Sequence, residues 1–196
     1  VGHDWGGVVA WTFASERPEL VDRLVIVNAP HPRIYRRKAW RPPQLLRSWY
    51  ALFFQLPWLP ERVLAARDFH VIRTMLRRMP ARPGTFSVAD IDRFVEALRR
   101  PGALTAALDY YRANLSSLVR GAAARPIEAE TLVIWGERDP ALSVGLLDGI
   151  DRVAPRARVA RFPEAGHWVH SEIPDEVNRQ LVGFLSGDRA AGAGMR

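Results

Sequence analysis

The chain has 196 residues, 48% of them hydrophobic, enough for one domain with a well-filled core or for a core plus a lid. It has no cysteine and no apolar run long enough to span a bilayer, which excludes disulfides, thiolate-ligated zinc and a membrane-spanning helix. The net charge is +7 with Lys38 the only lysine, but the arginines are scattered apart from Arg33–Arg41 and Arg73–Arg82, and without a nucleic-acid motif beside them no nucleic-acid partner is expected.

The first seven residues, Val1-Gly2-His3-Asp4-Trp5-Gly6-Gly7, have the form Gly-x-(nucleophile)-x-Gly, with aspartate where a serine hydrolase carries serine. Such a pattern makes a sharp strand-to-helix turn in a strained backbone conformation, and Gly2 and Gly6 are expected to relieve the crowding. Asp4 then lies beside free backbone N–H groups at a helix start, an environment that favours a carboxylate and can stabilise an oxyanion. An ordinary Gly-rich turn before a helix is the bland alternative, and the pattern alone leaves it open. The turn needs a buried strand before it, and there is neither an initiating methionine nor a signal or transit peptide. The chain is therefore read as a fragment lacking its early strands, so the missing signal says little, and a cytoplasmic location is expected from the absence of cysteine.

Residues from Gly7 to Arg17 read as a helix ended by Pro18, and Val21 to Val27 as a strand buried on both faces. Asn28-Ala29-Pro30-His31-Pro32 breaks that strand. Helical patterns follow: Pro43 to Gln55, Pro60 to Asp68, Phe69 to Arg78, Val88 to Arg99 and Gly102 to Val119, with prolines and glycines between them as far as Gly121. Ser87 followed three residues on by Asp90 is a helix-start signal. Strand character returns at Thr131 to Trp135, closed by Gly136-Glu137-Arg138-Asp139-Pro140. Leu142 to Val153 reads as a helix weakened by Gly145 and Gly149, Ala157 to Phe162 as a strand, and Pro174 to Leu185 as an amphipathic helix. The expected organisation is an α/β fold with a parallel sheet flanked by helices. Its core comprises 1–31 and 128–186, with an inserted helical cap at 32–127 and a disordered tail at 187–196.

Three polar residues follow predicted strands in the order Asp4, Asp139, His167, and the carboxyl ends of strands in an open α/β sheet form the ligand crevice. Singly, Asp139 could be a turn aspartate and His167 a satisfied core histidine. Together they suit covalent chemistry. A carboxylate is ionised near neutral pH and attacks an sp³ carbon without a base. The resulting ester needs water activated by a base, a role for His167 oriented by Asp139, and the Trp5 backbone N–H is placed to receive the oxyanion. Two carboxylates and a histidine could also suggest a metal, but the turn around Asp4 argues for covalent chemistry, and no metal or cofactor is expected.

Gly-His-Asp-Trp-Gly-Gly, Gly-Glu-Arg-Asp and Gly-His-Trp resemble the motifs of α/β-hydrolase-fold epoxide hydrolases and the related haloalkane dehalogenases, over essentially the whole chain to about Leu185. The resemblance implies an α/β-hydrolase fold, and it implies that a His-Gly-x-Pro loop contributing to the oxyanion hole lies in a missing early part. The segments around Tyr50 and Tyr111 resemble those that carry two cap tyrosines, and the Tyr-Arg pair favours Tyr111 over Tyr110. In the family these tyrosines protonate an epoxide oxygen that leaves while still tethered. Here they could instead be half-buried packing residues. Trp5 is common to both relatives and does not discriminate between them. Leu52 to Leu59 could suggest membrane association, but lining an apolar pocket or packing the lid on the core is the expectation. His31, His70 and His170 read as structural.

The leading expectation is hydrolysis of a small apolar epoxide to a vicinal diol by Asp4, Asp139, His167, Tyr50 and Tyr111, with water as co-substrate, no stable membrane insertion and a possible homodimer. Alternatives are a haloalkane or haloacid dehalogenase with the same three residues, and an inactive fragment or non-catalytic binding protein of the same fold.

Overall fold

β1 (Gly2–His3), β2 (Arg23–Val27), β3 (Glu130–Gly136) and β4 (Ala157–Phe162) form one parallel sheet in the order β1-β2-β3-β4. The computed structural model describes residues 1–120 and 125–187, with side chains described through 114 and again from 125. Of the tail expected at 187–196, only Gly187 falls within these residues, and Gly121 lies outside them.

The sheet forms where β-branched and other apolar residues are buried on both faces. Leu24 and Ile26 of β2, with Val133 and Trp135 of β3, face one way and pack on Trp11 of α1 (Trp5–Glu16). Val25, Val27, Leu132 and Ile134 alternate with them and face the other way. There they meet Val169 of α9 (Val169–Glu172) and Val177 and Phe184 of α10 (Pro174–Ser186). Each such fully buried aliphatic contributes roughly 1.5–3 kcal/mol. This two-sided burial fixes the strand register, and with it the positions of the loops after the strands.

Among the described residues, six helices stand between β2 and β3: α2 (Pro32–Lys38), α3 (Pro42–Arg47), α4 (Trp49–Phe53), α5 (Leu59–Arg78), α6 (Val88–Arg99) and α7 (Ala103–Arg120). The sequence pattern missed α2, which starts at Pro32 with the His31 Nδ1 accepting from Arg33 N–H at 3.2 Å. It also ran α3 and α4 together, whereas Ser48 (φ −99, ψ 9) separates them. The break expected near residue 68 is present inside α5, where Arg67, Asp68 and Phe69 all have φ between 50 and 56. Arg73 and Arg99 clamp that bend by pairing with Asp68. The Ser87–Asp90 capping box at the start of α6 is formed in both directions, a feature worth about 1 kcal/mol.

The helix expected over Leu142 to Val153 is replaced by a short 3₁₀ turn at Val144–Leu147 and by the single turn α8 (Ile150–Val153). Gly149 between them adopts φ 90 and Asp148 is extended, which interrupts any continuous helix. The helices between β2 and β3 are fastened to the sheet by polar contacts. Gln44 Nε2 donates to Ala141 O at 2.8 Å while its Oε1 accepts from Ser143 N at 3.0 Å, and Lys38 pairs with Asp148 at 2.6 Å. Phe69, Ile72, Leu76, Ile91 and Val95 make a separate small core between α5 and α6, and Trp168 from the loop after β4 packs against it.

Candidate active site

The turn after β1 has the strain its pattern implies. Asp4 sits at φ 50, ψ −124, a conformation that L-residues seldom adopt. Its N–H bonds Val27 O at 3.3 Å and its carbonyl accepts from Gly7 N and Val8 N at 2.9 and 3.1 Å, which starts α1. A Cβ on Gly2 would lie 2.4 Å from Gly6 O, so Gly2 is required. Gly6 is not required for space: a Cβ there would meet nothing within 4 Å. The second close approach belongs to Gly7, where a Cβ would fall 2.3 Å from the Ala29 Cβ as α1 crosses the end of β2. The repeat of glycine at 6 and 7 hid which of the two is sterically constrained.

Asp4, Asp139 and His167 are brought together by the ends of β1, β3 and β4. His167 Nδ1 is 2.7 Å from Asp139 Oδ2, and its Nε2 is 3.8 Å from Asp4 Oδ1. Asp139 is fully enclosed. Its Oδ1 accepts from Ala141 N and Leu142 N at 2.8 and 2.9 Å, and its Oδ2 accepts from Asn28 Nδ2 at 2.8 Å as well as meeting His167. Four partners on one carboxylate fix its orientation.

Burial alone would keep His167 neutral, but the hydrogen bond and charge of Asp139, with the charges of Asp4 and Glu172, outweigh it and raise its pKa. Burial also raises the pKa of Asp4, although 43% of its side chain stays open, while His167 and a hydrogen bond from Trp5 N–H draw it down. His3 Nε2 donates to the His167 carbonyl at 3.0 Å, and burial next to His167 pushes its own pKa down to about 4. A neutral His3 thus braces the His167 main chain and leaves the positive charge of this corner to His167.

The cap tyrosines meet above Asp4. The Tyr50 and Tyr111 rings are 5.8 Å apart, and Tyr111 stands edge-on to Trp5 at 5.2 Å and to Phe54 at 5.0 Å. Tyr110 is 51% exposed, so the geometry separates the adjacent pair and turns Tyr111 inward. Burial and the negative charge of Asp4 push the Tyr111 pKa up to about 12, partly offset by hydrogen bonds with Trp5 and Tyr50. Tyr50 is raised further by burial, with Tyr111 and Asp4 adding to it. Both hydroxyls keep their protons at neutral pH and are donors. Among the described residues, no group of three or more His, Asp or Glu side chains is arranged to hold a metal ion.

Two polar residues that the sequence reading passed over hold this arrangement. Asn28, fully buried with φ 37, donates to Asp139 Oδ2 and Gly136 O and accepts from Gly136 N at 2.8 Å, tying the ends of β2 and β3 together. Its signal was a lone amide ending an apolar strand, which reads equally well as a turn. Glu172, buried in α9, accepts at Oε2 from Gly166 N, Ala81 N and Arg82 N at 2.9, 3.0 and 3.3 Å. It locks the His167 loop to the segment after α5. Replacing Asn28 by alanine is expected to destabilise the fold by about 1–3 kcal/mol through unsatisfied buried partners, and to lower turnover with KM little changed. Urea melts and steady-state kinetics check both, and unchanged turnover would remove Asn28 from the site.

Comparison with known proteins adds an independent line. A family model described as the alpha/beta hydrolase fold matches residues 1–174. The chain is 39% identical over 189 residues to AB hydrolase superfamily protein YfhM of Bacillus subtilis (strain 168), covering 94% of this chain and 64% of that protein. It is 37% identical over 196 residues to epoxide hydrolase 3 of Xenopus tropicalis, covering 96% and 52%. The solved structure of Bacillus megaterium epoxide hydrolase in complex with an inhibitor superposes with a TM-score of 0.78 at 29% identity, covering 94% of this chain and 67% of that one. The chain thus spans between about half and two thirds of the length of these relatives.

Proposed function

The chain belongs to the α/β-hydrolase fold family, and from that premise we propose that it carries the Asp4-centred site of an epoxide hydrolase, forming a vicinal diol through an aspartyl ester. The observation that carries this reading is the meeting of two protonated tyrosines, Tyr50 and Tyr111, above a carboxylate that also faces the His167–Asp139 pair.

In the first half-reaction an Asp4 carboxylate oxygen attacks an oxirane carbon and the ring C–O bond breaks. The departing oxygen takes a proton from Tyr111 or Tyr50. The ester so formed joins the substrate to Asp4. In the second half-reaction His167 Nε2 removes a proton from a water that attacks the Asp4 carboxyl carbon, and the oxyanion is received by the backbone N–H of the neighbouring Trp5. The bond from that carbon to the alkyl oxygen breaks, the alkyl oxygen takes the proton from His167, and Asp4 is left as a carboxylic acid. Its proton restores the tyrosine. The sum is epoxide plus water to diol. Asp139 holds the imidazole and stabilises its charge without changing protonation.

Dehalogenation would use the same first attack, but a halide leaves without a proton and needs only N–H donors. Two hydroxyls set over Asp4 favour the epoxide. The relatives named as epoxide hydrolases support that choice.

A single turnover in H₂¹⁸O with enzyme in excess over a small aryl epoxide tests the reading. The expected result is unlabelled diol and label in the peptide bearing Asp4. Label appearing directly in the first-turnover diol, or no diol at all, would refute it.

A further inference from the structure

Of seven tryptophans, Trp5, Trp11, Trp135 and Trp168 are buried or half-buried. The exposed three, Trp40 (59%), Trp49 (65%) and Trp58 (62%), all fall in one stretch between the start of α2 and the first turn of α5. Leu45 and Leu46 of α3, Trp49 and Leu52 of α4, and Leu56 just after α4 are all exposed, Leu46 at 74%. Along this stretch, apolar side chains look outward from both short helices. The inward face of α4 is occupied by Tyr50, and Phe54 packs against Tyr111 just after it. Of Leu52 to Leu59, expected to line an apolar pocket or pack the lid on the core, Phe54 packs inward on Tyr111, whereas Leu52, Leu56, Trp58 and Leu59 are exposed.

The same stretch carries almost the whole net charge of the molecule. Residues 33–63 hold seven basic side chains, Arg33, Arg36, Arg37, Lys38, Arg41, Arg47 and Arg62, against the single acid Glu61. Taking these from the chain totals of 28 and 21 leaves 21 basic and 20 acidic residues elsewhere, nearly neutral. Glu61 is itself paired with Arg112. Arg33, Arg37, Arg41 and Arg62 are exposed, and none has an ion-pair partner among the described residues. Arg62 lies over the Trp58 ring at 5.7 Å.

We propose that this outer face of α3 and α4, with its flanking arginines, docks on the surface of an anionic lipid bilayer. Exposed tryptophan and leucine bordered by arginine is the composition that suits the bilayer interface, where indole rings sit at headgroup level and cations meet lipid phosphates. No described helix is long and apolar enough to cross a membrane, and the contact proposed for this face is with the bilayer surface. A second copy of the chain suits the face less well. A two-fold contact would set this basic surface against itself, bringing like charges together. The inference is independent of the chemistry assigned to Asp4.

The test is flotation of the purified chain with vesicles of equal parts phosphatidylcholine and phosphatidylglycerol, against phosphatidylcholine alone. Binding is expected to be at least roughly tenfold tighter to the anionic vesicles, to weaken with added salt, and to shift tryptophan emission to the blue. Leu46→Glu with Trp49→Glu should cut binding at least roughly tenfold, and so should Arg37→Glu with Arg41→Glu, which leaves the exposed apolar side chains themselves unchanged. The proposal fails if the unaltered chain does not float with anionic vesicles. It fails equally if both paired variants float as well as the parent, or if the chain is a dimer that Trp49→Glu makes monomeric without any vesicle binding.

Discussion

Replacing His167 by glutamine is expected to stop the reaction after its first half. The Asp4 carboxylate needs no base to attack, so alkylation proceeds, but the ester then lacks the group that activates water. Turnover should fall by roughly 10²–10⁴-fold, the usual contribution of a general base. The chain should also gain the mass of one substrate molecule, located in the peptide containing Asp4. An intact-mass measurement after incubation with an aryl epoxide reads this directly. A variant that loses activity without gaining mass would show that His167 serves the first step or the fold, contrary to the mechanism. The pH dependence follows from the same assignment. His167 must be neutral to accept a proton, and Asp139, Asp4 and Glu172 raise its pKa above the ordinary 6.5. Turnover should therefore climb with pH through a limb displaced above 6.5 and fall away below it. The alkylation step of the glutamine variant should lack that limb. It should instead decline only where Asp4 itself is protonated, at a pH raised from the usual carboxylate value by burial.

This arrangement was legible in the sequence where chemistry and periodicity coincided. Asp139 and His167 each follow a predicted strand, Asp4 sits in a turn pattern that calls for one, and strand ends are where an open parallel sheet places reactive groups. The strands themselves were readable because burial on both faces demands unbroken apolar residues such as Leu24 to Val27. What the sequence withheld was anything decided by contacts between distant segments. Asn28 bridges β2 to β3 and Asp139, across separations of 108 and 111 residues, so nothing near it in the chain announces the role. Glu172 stands just before the amphipathic helix with no local partner in the sequence to single it out, yet it receives three backbone N–H groups from two separate segments. The single helix read across 142–153 failed because one glycine in the left-handed region outweighs local propensity. The choice of Tyr111 over Tyr110 came from resemblance alone, since neighbours on a helix differ by about 100° in direction and only packing says which points inward.

That packing leads to the second large effect. With both Tyr50 and Tyr111 changed to phenylalanine, epoxide opening is expected to slow by roughly 10²–10⁴-fold, because the ring oxygen then has no donor above Asp4. Either single change should cost less than the pair, since the two hydroxyls share one leaving oxygen and neither is indispensable while the other remains. The raised pKa of each tyrosine means that the loss should be uniform across neutral pH, where both hydroxyls are fully protonated. The measurement is best made in the His167→Gln background, where the rate of mass gain on Asp4 reports the first step alone. If the doubly substituted chain is alkylated within a few-fold of its parent, the tyrosines are packing residues and the proton comes from elsewhere. A primary alkyl iodide supplies the complementary reading. Iodide departs without a proton, so any alkylation of Asp4 by that probe should be insensitive to the two hydroxyls. A loss confined to the epoxide would place the hydroxyls on the leaving oxygen. A parallel loss with both probes would mean that the rings had only shaped the space in which Asp4 attacks.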